Sequence, residues 1–209
     1  MTVALIDDDE AVLDSLGMLL RKRGLAVECF ASARTFLSRS AEAPVRCIVS
    51  DVRMPGLTGL DLQFELSKRG SSVPLILITG HGDIAMAVRA VKMGAFDFIE
   101  KPFNDQQLLE SIRSAVDSDE RSRAYRADLA VIRKRVAELS QRQRQVMDLV
   151  AKGLSNKEIA VQLSISPRTV ENYRAWVMEK MGAPNIAELV RMVVQLENDS
   201  GAAPATGAK

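Results

Sequence analysis

The chain has 209 residues, 47% hydrophobic and 26% charged, with a formal net charge of +1. This composition fits a soluble globular protein of one medium or two small domains. It excludes a membrane span, since no apolar run approaches about 18 residues, and a signal peptide, since "MTVALIDDDE" turns acidic too soon; a cytoplasmic protein is predicted. Cys29 and Cys47 lie in apolar stretches ("VECF", "RCIVS") without metal-ligand partners and read as reduced core residues. The single histidine, His81, has no companions that would suggest a hydrolase. Charge is uneven: residues 1–117 hold 13 Lys and Arg against 16 Asp and Glu, and residues 140–209 hold 9 against 7. The mild basic excess lies in the second half.

From residue 3 to about 117, apolar runs alternate with amphipathic stretches of helix length. "VALI", "VECF", "CIVS", "LILI" and "FDFI" read as strands, several apolar on both faces as parallel strands under helices must be. Between them lie "EAVLDSLGMLLRKRG", a short stretch near 33–38, "LTGLDLQFELSKRG" and "DIAMAVRAVKMG". Five such units predict an α/β doubly wound, five-stranded parallel sheet of the flavodoxin-like type, with ligands at the carboxyl ends of the strands.

Residues 104–138 carry neither Gly nor Pro, and Tyr125, Leu129, Ile132, Val136 and Leu139 recur at steps of four and three. That spacing predicts a helical linker over 118–139 with a coiled-coil-like seam. Over 140–196 the punctuation is helical: Ser140, Gly153, Ser155 with Glu158, Ser166 before Pro167, Gly182, and Asn185 with Glu188. An all-α four-helix domain is expected there, and a disordered tail over 197–209.

"FIEKPF", residues 98–103, places a lysine at the tip of a buried strand. Taken alone, a Lys-Pro there is a solvated turn. The other strand tips change its meaning, because Asp7, Asp8 and Asp9 follow strand one, Asp51 follows strand three and Thr79 ends strand four. Gathered carboxylates repel one another more strongly as water is excluded. Lys101 or a hard divalent cation such as Mg²⁺ would neutralise them. A carboxylate nucleophile, a metal, a lysine and a hydroxyl are the parts that phosphoryl transfer to an aspartate needs.

"LIDDDE", "VSDVRMPGLTGLDL", "LITGHGD" and "DFIEKPF", in this order, resemble the receiver domain of bacterial two-component response regulators over residues 1–117. The resemblance implies that Asp51 is the phosphoacceptor and that Asp7, Asp8, Asp51 and the Arg53 main-chain carbonyl hold Mg²⁺, with Asp9 outside the set. It further implies that Thr79 and Phe98 are the switch pair, that Lys101 binds the phosphoryl group, and that Pro102 is cis. Arg53 and His81 flank the site and are expected to tune the lifetime of the phosphoryl group. The donor would be a partner kinase's phosphohistidine, so the domain acts only on itself and is not an enzyme.

"LSNKEIAVQLSISPRTVENYRAWVMEKMG" sets two helices around a helix-turn-helix turn, with Ile159, Ala160, Leu163, Val170, Val177 and Met181 available to pack them. Arg168, Thr169, Glu171, Asn172 and Ala175 are expected toward a major groove, with Arg174 and Lys180 on phosphates. The stretch from Leu139 to Met181 resembles the LuxR-type (NarL-type) DNA-binding domain, and its pairing with this receiver is similar to the FixJ group of response regulators. Gln143 departs from the LuxR-type pattern, which usually has Glu there, and Asn172 and Trp176 depart from the pattern of the FixJ group. In the last helix, Ile186, Leu189, Val190, Val193 and Val194 share a face that is expected to serve partly as a dimer contact.

The combined reading is a phosphorylation-switched transcription regulator. Its expected partners are a cognate histidine kinase, promoter DNA, RNA polymerase and, once phosphorylated, a second copy of the chain through the fourth helix and fifth strand. The alternative is a phosphate sink or protein-interaction regulator without sequence-specific DNA binding.

Overall fold

The computed structural model describes residues 1–38, 45–80 and 84–201. The chain divides into two compact units, Met1–Ser122 and Arg123–Lys209.

In the first unit, β1 (Thr2–Ile6), β2 (Ala26–Phe30), β3 (Val45–Asp51), β4 (Leu75–Thr79) and β5 (Asp97–Glu100) form one parallel sheet. The strand order is β2-β1-β3-β4-β5, so the chain reverses its winding after β2. The sheet is buried on both faces, which is why β3 and β4 read as unbroken apolar runs. One face packs on α1 (Glu10–Lys22) and the first half of α5 (Asp105–Ala137) through Leu13, Leu20, Leu108, Leu109 and Ile112. The other packs on α2 (Ala33–Ser38), α3 (Gly59–Lys68) and α4 (Ile84–Lys92) through Phe36, Leu62 and Ala90. Cys29 corrects an expectation: β2 is an edge strand and leaves its thiol exposed, whereas Cys47 on β3 is buried and its thiol is pushed up to about 12 by desolvation.

The seam predicted along the linker is spent otherwise than expected. Helix α5 runs unbroken over 33 residues, but Ile132 and Leu139 enter the core of the second unit, with Val136 packed against it. Arg133 pairs with Asp199 of the last helix. Three of the five apolar positions thus serve the core of the second unit; Leu129 is buried as well, and Tyr125 is exposed.

The second unit adds α6 (Gln141–Ala151), α7 (Asn156–Leu163), α8 (Pro167–Met181) and α9 (Ile186–Gly201). Ser140 and Ser155 form capping boxes with Gln143 and Glu158, and Ser166 caps α8 ahead of its N1 proline. Between α7 and α8 only Ser164, Ile165 and Ser166 intervene, with Ser164 left-handed at φ 54°. Helix α9 extends beyond residue 196, so the first five residues of the expected tail are helical; residues 202–209 lie outside the described residues.

Candidate functional site

The carboxyl ends of β1, β3, β4 and β5 converge because the sheet is parallel and β1 and β3 are neighbours at its centre. Asp7 leaves β1, Asp51 ends β3, Thr79 ends β4 and Lys101 follows β5. Lys101 Nζ donates to Asp51 Oδ1 at 2.9 Å and to Asp7 Oδ2 at 3.3 Å. Asp51 Oδ2 accepts the Arg53 backbone N–H at 2.6 Å, and Asp7 Oδ1 accepts that of Asp9 at 3.0 Å. Both carboxylates are buried.

Burial holds the Asp7 carboxyl above the usual range, and the neighbouring Asp51 charge adds to this; the Asp9 N–H and Lys101 oppose it without cancelling it. Burial alone would lower Lys101, but the bond to Asp51 and the attraction of both carboxylates outweigh that and raise it. The pocket therefore holds its charges under tension: two desolvated anions share one ammonium.

The remaining predicted residues fall around this pair. Thr79 is buried and its carbonyl accepts the Lys101 N–H at 2.7 Å. Phe98 is half-buried against the α3–α4 core. The Lys101–Pro102 peptide is cis. Asp8 is exposed, and Asp9 caps α1 by accepting the Ala11 N–H. Arg53 is exposed; His81 lies outside the described residues.

In the second unit, Val170, Val177 and Met181 turn α8 inward onto Ile159 and Ala160. Arg168, Glu171, Asn172, Ala175 and Trp176 are exposed on the opposite side. Thr169 closes the N-terminal turn, its N–H donating to Ser166 Oγ. Two expected phosphate contacts are engaged within the domain: Arg174 donates to Asn156 Oδ1 at 2.9 Å, and Lys180 Nζ donates to the Glu138 carbonyl at 3.0 Å and Gln143 Oε1 at 3.1 Å.

Residues 3–113 match the response regulator receiver domain family, and residues 137–193 match the luxR family of bacterial regulatory proteins. The chain is 47% identical over 208 residues to the transcriptional regulatory protein FixJ of Azorhizobium caulinodans, covering all of this chain and 97% of that one. It belongs to the response regulators. It is also 41% identical over 196 residues to the response regulator protein TodT of Pseudomonas putida, covering 94% and 86% of the two chains. The solved structure of the response regulator StyR, 39% identical, superposes with a TM-score of 0.75 over 93% of this chain and 98% of that one. The chain is thus a response regulator with a LuxR-type DNA-binding domain, and it regulates transcription under the control of phosphorylation.

Receiver domains of response regulators use Mg²⁺, and the donors here suit such an ion. Asp7 and Asp51 offer hard carboxylate oxygens from adjacent strands, and burial, which raises Asp7, makes a further cation beside the pair favourable. Among the described residues no group of three or more His, Cys, Asp or Glu could hold a metal. The ion would therefore draw on main-chain oxygens and water as well, as Mg²⁺ commonly does. No described helix is long and apolar enough to cross a membrane.

Two features of this response regulator escape sequence patterning. A Cβ at Gly59 would stand 2.5 Å from the Asp51 carbonyl oxygen and 2.9 Å from Leu77, so only glycine lets α3 begin against the end of β3. The "GLTGLDL" run hinted at it by placing a glycine at a helix start. The second is the clamp on α8, in which Arg135 donates to the Met181 carbonyl at 2.7 Å while Lys180 reaches Glu138 and Gln143. Gln143 was visible as a departure from the family pattern, but its partners were not.

Proposed function

We propose that Asp51 accepts a phosphoryl group from the phosphohistidine of a cognate sensor kinase in the cytoplasm, and that this switches the chain to a promoter-binding homodimer. The observation that carries it is the Lys101 ammonium lying between Asp51 and Asp7 at the strand tips. Asp51 Oδ attacks phosphorus, the P–N bond to the histidine breaks, and an acyl phosphate forms on Asp51. Lys101 moves its attraction from the bare carboxylate to the phosphoryl oxygens, which keeps the charge compensated as the group arrives. Asp7, Asp8, Asp51 and the Arg53 carbonyl would hold Mg²⁺, which supplies further charge neutralisation for the phosphoryl oxygens.

Thr79 and Phe98 are the proposed relay. A hydroxyl drawn toward the phosphoryl group vacates space beside β5, and the half-buried Phe98 turns into it. The surface that answers is the outer side of α4, where Ile84, Val88 and Val91 are exposed together with Phe96 beside β5. Dimerisation there would bring two output domains to a two-fold site. On α9 only part of the expected dimer face is open. Leu189 and Val193 are spent in the core, whereas Ile186, Val190 and Val194 form a partly exposed row at steps of four. Arg53, with His81, is proposed to set the lifetime of the phosphoryl group, and RNA polymerase is the proposed downstream partner.

Sedimentation with Mg²⁺, with and without beryllofluoride, tests the switch. A monomer that becomes a dimer, and fails to do so as Asp51→Asn, is the expected result. A dimer of equal strength in both states would remove assembly as the switched quantity.

A further inference from the structure

Trp176 is the only tryptophan in the chain, and it is 48% exposed near the middle of α8. Two observations set it apart from a stray surface aromatic. It stands four residues after Asn172, so it lies one turn further along the same outward side, opposite Val170 and Val177. Its ring is also held edge-on against Tyr173, with centroids 5.5 Å apart and planes at 80°. Tyr173 in turn packs on the domain core, so the indole is propped outward before any partner arrives. A pre-set ring loses little freedom on binding.

The charges around it say what kind of contact is missing. The outward side of α8 carries Arg168 against Glu171 and Glu179, and the other cations of α8, Arg174 and Lys180, are engaged within the domain. Both donate to neutral oxygens and so keep their charge, but with donors committed inside the domain they leave room on this face for a further, neutral donor to a phosphate chain. Among the described residues, the indole N–H of Trp176 has no hydrogen-bond acceptor within the chain. At about 1.5 Å per residue it lies roughly 6 Å further along the helix than Asn172. Recognition helices read base edges with their N-terminal residues, and later turns meet the groove wall.

We propose that Trp176 is a DNA-backbone contact, its indole N–H donating to a phosphate oxygen and its ring edge resting on the adjoining deoxyribose. The assignment rests on the outer side of α8 facing DNA. It makes Trp176 a determinant of affinity and register, with base choice left to Arg168, Glu171, Asn172 and Ala175.

The test uses the full chain with Mg²⁺ and beryllofluoride, and a duplex enriched by that chain from a random library. Tryptophan emission is expected to change along the same curve as the anisotropy of the labelled duplex. Trp176→Phe, which keeps a ring and loses the donor, should bind about tenfold more weakly, as for one hydrogen bond to a charged oxygen. Repeating the selection with it should return the same base preferences, and Trp176→Ala should bind more weakly still. Circular dichroism of both variants confirms that α8 is intact. Unchanged emission at saturating duplex, or both folded variants within twofold of the parent, would overturn the proposal, as would an altered base preference in Trp176→Phe. Failure of the parent chain to enrich any duplex would instead overturn the reading of α8 as the DNA-facing helix, and the contact with it.

Discussion

Replacing Lys101 by Met removes the ammonium that Asp7 and Asp51 share while keeping most of the side-chain volume. At an effective dielectric constant near 20, each of the two contacts, at 2.9 and 3.3 Å, is worth about 5 kcal/mol before desolvation is counted. Removing one partner of a fully buried pair costs about 3–5 kcal/mol. Here the carboxylates are 8% and 10% exposed but the lysine is 29% exposed, so water recovers part of the loss and about 2 kcal/mol is expected. For a unit of this size that lowers the receiver's melting temperature by roughly 6–10 °C. Calorimetry of the full chain in chelator measures it, the receiver transition being the one that Mg²⁺ moves.

The loss should also depend on pH and metal in a fixed direction. Asp7 is raised in the folded state, first by burial and further by Asp51, so the folded chain holds its proton more tightly than the unfolded chain. Stability then falls as pH rises through the interval between the ordinary carboxylate value and the raised one. Without Lys101 that interval widens, so the variant should lose less at acidic pH than at neutral pH, and saturating Mg²⁺ should restore much of the difference. A Lys101→Met chain that melts within 1 °C of the parent in chelator at neutral pH would refute the reasoning.

Other substitutions probe the same chain of argument. Asp7→Asn should raise the melting temperature in chelator at neutral pH, since it deletes a carboxylate whose ionised form is disfavoured, and it should abolish the shift produced by Mg²⁺; a lower melting temperature in chelator would contradict this. Gly59→Ala should cost about 1–3 kcal/mol, because its Cβ meets the Asp51 carbonyl at 2.5 Å, and should slow phosphorylation by acetyl phosphate; unchanged stability and rate would show that α3 can retreat. Gln143→Glu should stabilise the output domain by up to about 1 kcal/mol by giving Lys180 and the Ser140 N–H a charged acceptor, an effect lost as pH falls through the glutamate's titration. A loss of stability in urea unfolding at neutral pH would show that desolvation outweighs the new charge.

The elements were legible because each carries its own local reason. Apolar runs bounded by turns gave the five strands, and Ser-x-x-Glu or Ser-Pro placed the output helices within a residue or so. The acidic pocket was legible for a topological reason: residues that follow parallel strands are delivered to one edge whatever their side chains do. Two of the readings that needed revision depend on which neighbours an element meets. Cys29 sits in an apolar run, but a run on an edge strand is covered less than one at the centre. The seam on α5 has coiled-coil spacing, yet a helix shared with a small domain spends that spacing on the domain's own core.

Two lysines show where that limit bears on function. Lys101 and Lys180 both follow apolar patterning, and sequence assigned each to a phosphate, one phosphoryl and one of DNA. Lys101 was placed by strand order alone. Lys180 depends on how α8 crosses the end of α5 and the cap of α6, and there its ammonium is taken up by the Glu138 carbonyl and Gln143 Oε1. A lysine held in this way keeps its charge but directs two of its donors into the domain and away from a phosphate, and each phosphate neutralised adds about 0.9 to the slope of log affinity against log salt. Lys180→Met should therefore leave that slope unchanged while lowering the stability of the output domain. A Lys180→Met chain of parental stability with a slope reduced by one would mean that the lysine leaves its clamp for DNA, and that the clamp seen in the free chain is a resting position.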